Sequence, residues 1–210
     1  SMEKHNATLQ GQIHSAHVLG KHYYCKHEGI DPEDFRGEVV EEFRQQLDEI
    51  SLLSHAKACN TWDKRATEIE PIWCPKLDEG GEPTLDDRKN VAEDEDLSVL
   101  TERDEGPRPN TNMEKLQGLK PLRGIGKRRE RYLTAGNSCP TSDGAAAQIW
   151  MTRKLAEELG LKPRASIVNW ATIGCDPIIM LDGPIYAVPK ALERADMTLD
   201  DMDFIEINEA

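Results

Sequence analysis

The sequence predicts an α/β layered fold, and three observations carry that prediction. Asp31-Pro32-Glu33-Asp34 opens an amphipathic helix, and Phe35, Val39, Phe43, Leu47, Ile50 and Leu53 form its apolar stripe at spacings of three or four. Residues 165–173 are a β-branched run with the composition of a strand. Beyond it 185–195 reads as helix and 204–207 as a short apolar strand, so helix and strand alternate to the end of the sequence.

The remaining elements follow in order. Residues 1–30 are polar and His-rich, with 15–23 as the helical piece. The long helix, expected over 33–58, has Asp31 as N-cap, Pro32 in its first turn, and acids facing its positive end. Its stripe faces a core. Residues 75–106 carry Gly80-Gly81, Pro83 and clustered acids, which predict a solvated loop or weak hairpin. Leu116, Leu119 and Leu122 mark a short segment ahead of the basic run 124–131. That run has the composition of a nuclear-localisation or phosphate patch, but in so acidic a chain a charged turn is the better reading. Residues 145–151 would be helix on propensity alone. Thr152 caps a short helix over 153–159, closed by Gly160 at its C′ position. No internal repeat is present.

Composition narrows the function classes. A chain of 210 residues can bury one good core or two small ones, and 38% hydrophobic residues suit a globular protein. The net charge of −13 argues against nucleic acid and anionic membranes as partners. No apolar run has the length of a membrane span, and neither end reads as a targeting signal. Cys25, Cys59, Cys74, Cys139 and Cys175 are odd in number and widely spaced, which fits a reducing compartment better than a disulfide framework.

Two stretches point to chemistry. The first is Thr134-Ala135-Gly136-Asn137-Ser138-Cys139-Pro140-Thr141-Ser142-Asp143-Gly144-Ala145-Ala146-Ala147; the second is Ile207-Asn208-Glu209-Ala210 at the end of the sequence. Cys175-Asp176-Pro177 and Gly183-Pro184 lie between them. In this order they resemble the signatures of the thiolase family, most of all its peroxisomal-type 3-ketoacyl-CoA branch. The segment Glu105-Gly106-Pro107-Arg108-Pro109-Asn110-Thr111 continues the likeness upstream. The resemblance covers the middle of the family, with residues 1–122 as its loop region, 123–152 as the end of its N-terminal half and 153–210 as the start of its C-terminal half.

That resemblance implies a layered αβαβα fold, here incomplete, with 145–151 a buried strand rather than a helix. It implies acetyl-CoA C-acyltransferase chemistry: thiolytic cleavage of a 3-ketoacyl-CoA in fatty-acid β-oxidation, with coenzyme A as co-substrate and no resident cofactor. It also implies a homo-oligomer and a peroxisomal location, with mitochondrion or cytoplasm as alternatives. Asn208 matches the residue that holds a water in the oxyanion hole, where a fixed neutral donor network stabilises developing charge. Arg108 sits where the family places an arginine near the CoA nucleotide. Cys139 replaces a serine that meets the pantetheine arm, and a thiol is the weaker hydrogen-bond partner. Met180 and Ala210 match residues of the acyl pocket, although Leu181-Asp182 stands where the family has a glycine after the methionine. The family's nucleophilic Cys, its His-Pro histidine and its C-terminal Cys have no matching motif in these residues, so the chain by itself is expected to be inactive.

Two other readings stay open. One is a non-catalytic thiolase-like protein that keeps a CoA-binding or interaction surface. The other is a metal-binding module built from His14, His17, His22, Cys25 and His27, whose spacing fits no established zinc pattern. Solvated histidines on a polar helix explain that cluster better, and no metal site is assigned.

Overall fold

The computed structural model describes residues 12–94, 96–122, 130–140 and 142–208. They gather into two units: residues up to Gln45 together with those from Lys120 onward, and Gln46–Leu119.

In the first unit, helix α1 spans Gln12–Glu28, longer at both ends than the 15–23 expected. Lys26 and His27 lie in its last turn, where cations suit the negative helix end. Gly29 then takes φ +67°, and Ile30 N–H returns to Cys25 C=O at 2.9 Å. Asp31 caps as predicted: its Oδ1 accepts from Glu33 N–H at 2.8 Å. What it starts is a single 3-10 turn, Pro32–Asp34, while the long helix α2 covers Glu38–Asn60 rather than 33–58. The break is Gly37 at φ +56°, a conformation no helix interior accepts.

Phe35 therefore sits off the helix and drops into the core, fully buried. It packs edge-on to Tyr24 (6.0 Å between ring centroids), Phe43 (6.0 Å) and Tyr132 (5.6 Å), and Tyr132 closes on Phe43 at 4.8 Å. Each such pair contributes about 0.5–1.5 kcal/mol beyond its buried area. The predicted stripe serves this core only through its first part. Val39 and Phe43 are half-buried, whereas Ile50 and Leu53, each 54% exposed, lie beyond Gln45 on the part of α2 that belongs to the second unit.

Further along the first unit, Thr152 caps helix α5 (Arg153–Glu158) by accepting from Leu155 N–H at 3.3 Å, and Gly160 takes φ +66°, both as the sequence predicts. Helix α6 spans Gly183–Arg194, two residues earlier than expected at its start. Thr198 and Asp201 form a reciprocal capping box on the 3-10 turn Leu199–Asp201.

The three strands expected in this unit do not form. Residues 142–151, 165–173 and 203–208 belong to no ladder among the described residues, and 145–151 is exposed rather than buried. A strand interior to a layered sheet takes its hydrogen bonds from neighbouring strands. Among the described residues no other strand pairs with these segments.

The second unit holds helix α3 (Trp62–Arg65) and an antiparallel hairpin of β1 (Ile72–Pro75) and β2 (Ser98–Thr101), in register from Ile72↔Thr101 to Pro75↔Ser98. Of the stretch 75–106, Pro75 and Ser98–Thr101 belong to the hairpin, whereas 76–97 is the loop that connects its strands. Its long connection is tied by aspartates: Asp78 Oδ1 accepts from Gly80 and Glu82 N–H, and Asp86 Oδ1 from Arg88 and Asn90 N–H, at 2.8–2.9 Å. Helix α4 (Met113–Gln117) is capped by Asn112 and buries Leu116. Residues 124–129 of the basic run lie outside the described residues. Among the described residues no helix is long and apolar enough to cross a membrane.

Candidate functional site

The first signature folds into a turn held by its own side chains. Thr134 N–H donates to Asn137 Oδ1 at 2.8 Å, and Thr134 Oγ1 accepts from Gly136 N–H at 3.1 Å. Asn137 Nδ2 donates to Tyr132 C=O at 3.0 Å. Thr134 is fully buried and bridges to Pro121, while Leu122 N–H reaches Leu133 C=O at 2.8 Å. A Thr–Asn pair closing on its own backbone is a stiff local device. It carries Cys139 at its exposed end.

Tyr132 anchors the turn. Its ring stacks on His17 at 5.1 Å and its hydroxyl donates to His17 C=O at 2.5 Å. Burial pushes that phenol well above its usual range. Burial also lowers the pKa of His17, against a smaller upward pull from Glu130. His17 is therefore a core residue, contrary to the expectation of solvated histidines on α1. Its stacking partner lies far along the sequence, so local polarity could not reveal it. His22 and His27 are exposed as expected. Among the described residues no group of three or more His, Cys, Asp or Glu is arranged to hold a metal ion.

One helix turn of α1 also holds the loop before α6. Ser15 Oγ, fully buried, donates to Ile178 C=O at 2.5 Å. Asp176 shapes that loop, its Oδ1 accepting from Ile178 N–H at 2.7 Å and from Ile179 N–H at 3.0 Å. Met180, half-buried, takes φ +40°, unusual for a residue with a side chain. Its N–H donates to Asp176 C=O at 2.7 Å and its C=O accepts from Cys175 Sγ at 3.4 Å. Asp182 stands at the N-cap position of α6 without capping it; its carboxylate is buried, and Oδ1 has no hydrogen-bond partner among the described residues. That carboxylate is the main cause of a raised Tyr186 pKa.

The expected site residues are thus distributed as follows. Cys139 and Met180 lie on two loops of the first unit, each loop hydrogen-bonded to neighbouring residues of α1 through Tyr132 or Ser15. Asn208 belongs to the same unit but is exposed and follows no strand. Ala210 lies outside the described residues. Arg108 belongs to the second unit, where its N–H donates to His55 Nδ1 at 3.2 Å and its side chain is exposed. Sequence reasoning missed Ser15, His17 and Tyr132 as positioning residues. The one available signal was Tyr132-Leu133 directly ahead of the Thr134 signature.

Comparison with known proteins bears on these signatures. The family model "Thiolase, N-terminal domain" matches residues 3–154, and "Thiolase, C-terminal domain" matches 161–210. The peroxisomal 3-ketoacyl-CoA thiolase B of Rattus norvegicus is 41% identical over 177 residues, 82% of this chain and 38% of that protein. Among solved structures, the Bacillus anthracis acetyl-CoA acetyltransferase superposes with a TM-score of 0.66 at 31% identity, covering 91% of this chain and 40% of that one. Human mitochondrial 3-ketoacyl-CoA thiolase gives 0.63 at 25% identity, over 92% and 41%. The chain thus spans well under half the length of these relatives.

Proposed function

The chain belongs to the thiolase family, and on that premise we propose that it supplies the CoA-contacting part and the oxyanion asparagine of a 3-ketoacyl-CoA thiolase. The activity would be acetyl-CoA C-acyltransferase, the thiolytic release of acetyl-CoA from a 3-ketoacyl-CoA in β-oxidation. Coenzyme A enters as co-substrate rather than as a resident cofactor. The observation that supports the reading is the self-bonded turn at Thr134–Asn137, which leads into Cys139, proposed to stand in for the family's pantetheine-binding serine. Arg108 serves the nucleotide end of CoA, Met180 and Ala210 the acyl pocket, and Asn208 the water that donates to the thioester oxygen. The complete protein is a homo-oligomer of the peroxisome.

Within these 210 residues we propose binding without turnover, since a missing nucleophile removes the covalent route rather than slowing it. Calorimetric titration with coenzyme A tests the binding half. Arg108→Ala should weaken binding, and Cys139→Ser should strengthen it about fivefold, the worth of one neutral hydrogen bond. Equal affinities in all three proteins would count against the assigned positions. Cleavage of acetoacetyl-CoA by the pure chain, abolished by Cys139→Ala, would overturn the assignment of Cys139 as a binding residue.

A further inference from the structure

Arg108 lies between two prolines, in Gly106-Pro107-Arg108-Pro109-Asn110. Proline has no N–H, so Arg108 holds the one backbone donor of 107–109. That donor goes to a side chain on another element: Arg108 N–H donates to Nδ1 of His55, half-buried on α2, at 3.2 Å. An accepting Nδ1 carries no hydrogen, which leaves the ring hydrogen on Nε2. On its other side, Arg108 C=O accepts from Thr111 N–H at 3.2 Å. The backbone is thus tied at both polar groups, while the guanidinium is exposed and joins no ion pair among the described residues.

The stem of the same loop is held further along the same helical stretch. Ala58 lies three residues beyond His55, on the same face of α2, and its C=O accepts from Arg65 Nη2 at 3.0 Å. Arg65, the last residue of α3, gives its Nη1 to Asp104 Oδ2 at 2.9 Å. Its guanidinium stands 5.2 Å from the centre of the Trp62 ring, and that of Arg103 stands 5.0 Å from the same ring. Residues 103–108 are therefore fixed to the end of α2 and to α3, all within the second unit. Arg65 also engages the carboxylate four residues before Arg108, which leaves the Arg108 charge for an external anion.

An unpaired cation on an anchored backbone is preorganised for an anionic ligand. We propose that His55 is a positioning residue for coenzyme A: it fixes Arg108 so that the guanidinium meets the nucleotide phosphates. The inference rests on the CoA reading of Arg108 and adds the residue through which that arginine is placed. Without the His55 acceptor, the loop must be ordered when CoA binds, and that cost falls on the affinity.

The test is a double-mutant cycle on the 210-residue chain, read by calorimetric titration with coenzyme A. His55→Ala should weaken binding about two- to tenfold. His55→Asn, whose Oδ1 stands near the place of Nδ1, should restore most of it. Helix propensity runs the other way, Ala being the better helix former, so a purely structural role would favour the Ala variant. In the Arg108→Ala background, which keeps the backbone N–H, His55→Ala should have no further effect. Hydrogen exchange at the Arg108 amide reads the tie without CoA: it should accelerate in His55→Ala and return toward the parent's rate in His55→Asn. Unchanged exchange in His55→Ala would overturn the inference, as would an equal loss of affinity with and without the Arg108 side chain. Where Arg108→Ala weakens binding and His55→Ala does not, the positioning role alone fails. Where Arg108→Ala leaves binding unchanged, the CoA assignment of Arg108 falls, and the inference falls with it.

Discussion

Gly20→Ala exposes how closely α1 is docked against the aromatic core. A Cβ on Gly20 would lie 2.5 Å from Tyr132 Oη and 3.3 Å from Phe43 Cε1. Tyr132 cannot swing away, because it is 1% exposed and boxed by His17, Phe35 and Phe43. Its hydroxyl would have to leave His17 C=O, to which it donates at 2.5 Å. Three terms decide the outcome. Replacing glycine by alanine inside a helix favours folding by about 0.8–1 kcal/mol. Overpacking costs about 1–3 kcal/mol, and the displaced hydrogen bond costs about 1 kcal/mol more. The net expectation is a destabilisation of about 1–3 kcal/mol. Tyr132→Phe removes the oxygen at 2.5 Å and leaves Cζ at 3.3 Å, a contact that small shifts relieve. In that background Gly20→Ala should be near neutral or stabilising. Urea unfolding followed by far-ultraviolet circular dichroism on all four proteins gives the coupling energy, expected at about 1–3 kcal/mol. Additive effects within about 0.3 kcal/mol would refute the argument that this contact sets the docking of α1.

Three further outcomes follow. Burial holds His17 neutral in the folded chain, so its folded pKa lies below the unfolded value of about 6.5. Above that value it imposes no penalty. As pH falls below about 6.5 the unfolded chain binds the proton first and stability declines. The drop in urea midpoint between pH 7.5 and 5.5 should therefore shrink in His17→Gln, and an unchanged drop would show that His17 is not responsible. Asn137→Ala removes one acceptor for Thr134 N–H and one donor to Tyr132 C=O, with an expected loss of about 1–3 kcal/mol; hydrogen exchange at Thr134 should accelerate, and a protected amide there would contradict the turn's geometry. With this segment spliced into a full-length thiolase, Asn208→Ala should lower turnover about 10²–10³-fold. Normal turnover with a lowered melting temperature would make Asn208 a structural residue instead.

Local features were legible in the sequence because their causes lie within a few residues. Thr152 as cap and Gly160 as stop delimit α5, and both take the predicted conformations. Asp31 caps as expected, and the Thr134 signature carries the family resemblance within the sequence itself. The start of α2 differs from the sequence expectation because Gly37 at φ +56° outweighs the hydrophobic period running through it. Only the tertiary structure could decide the rest. It paired Ile72–Pro75 with Ser98–Thr101, and it buried His17 beneath Tyr132, more than a hundred residues away. It also left 165–173 without a paired strand among the described residues, although its β-branched composition is that of a strand. The physical reason is the same in each case. A cap or a helical period is satisfied by neighbours in sequence, whereas burial and strand pairing depend on what else occupies the adjacent space.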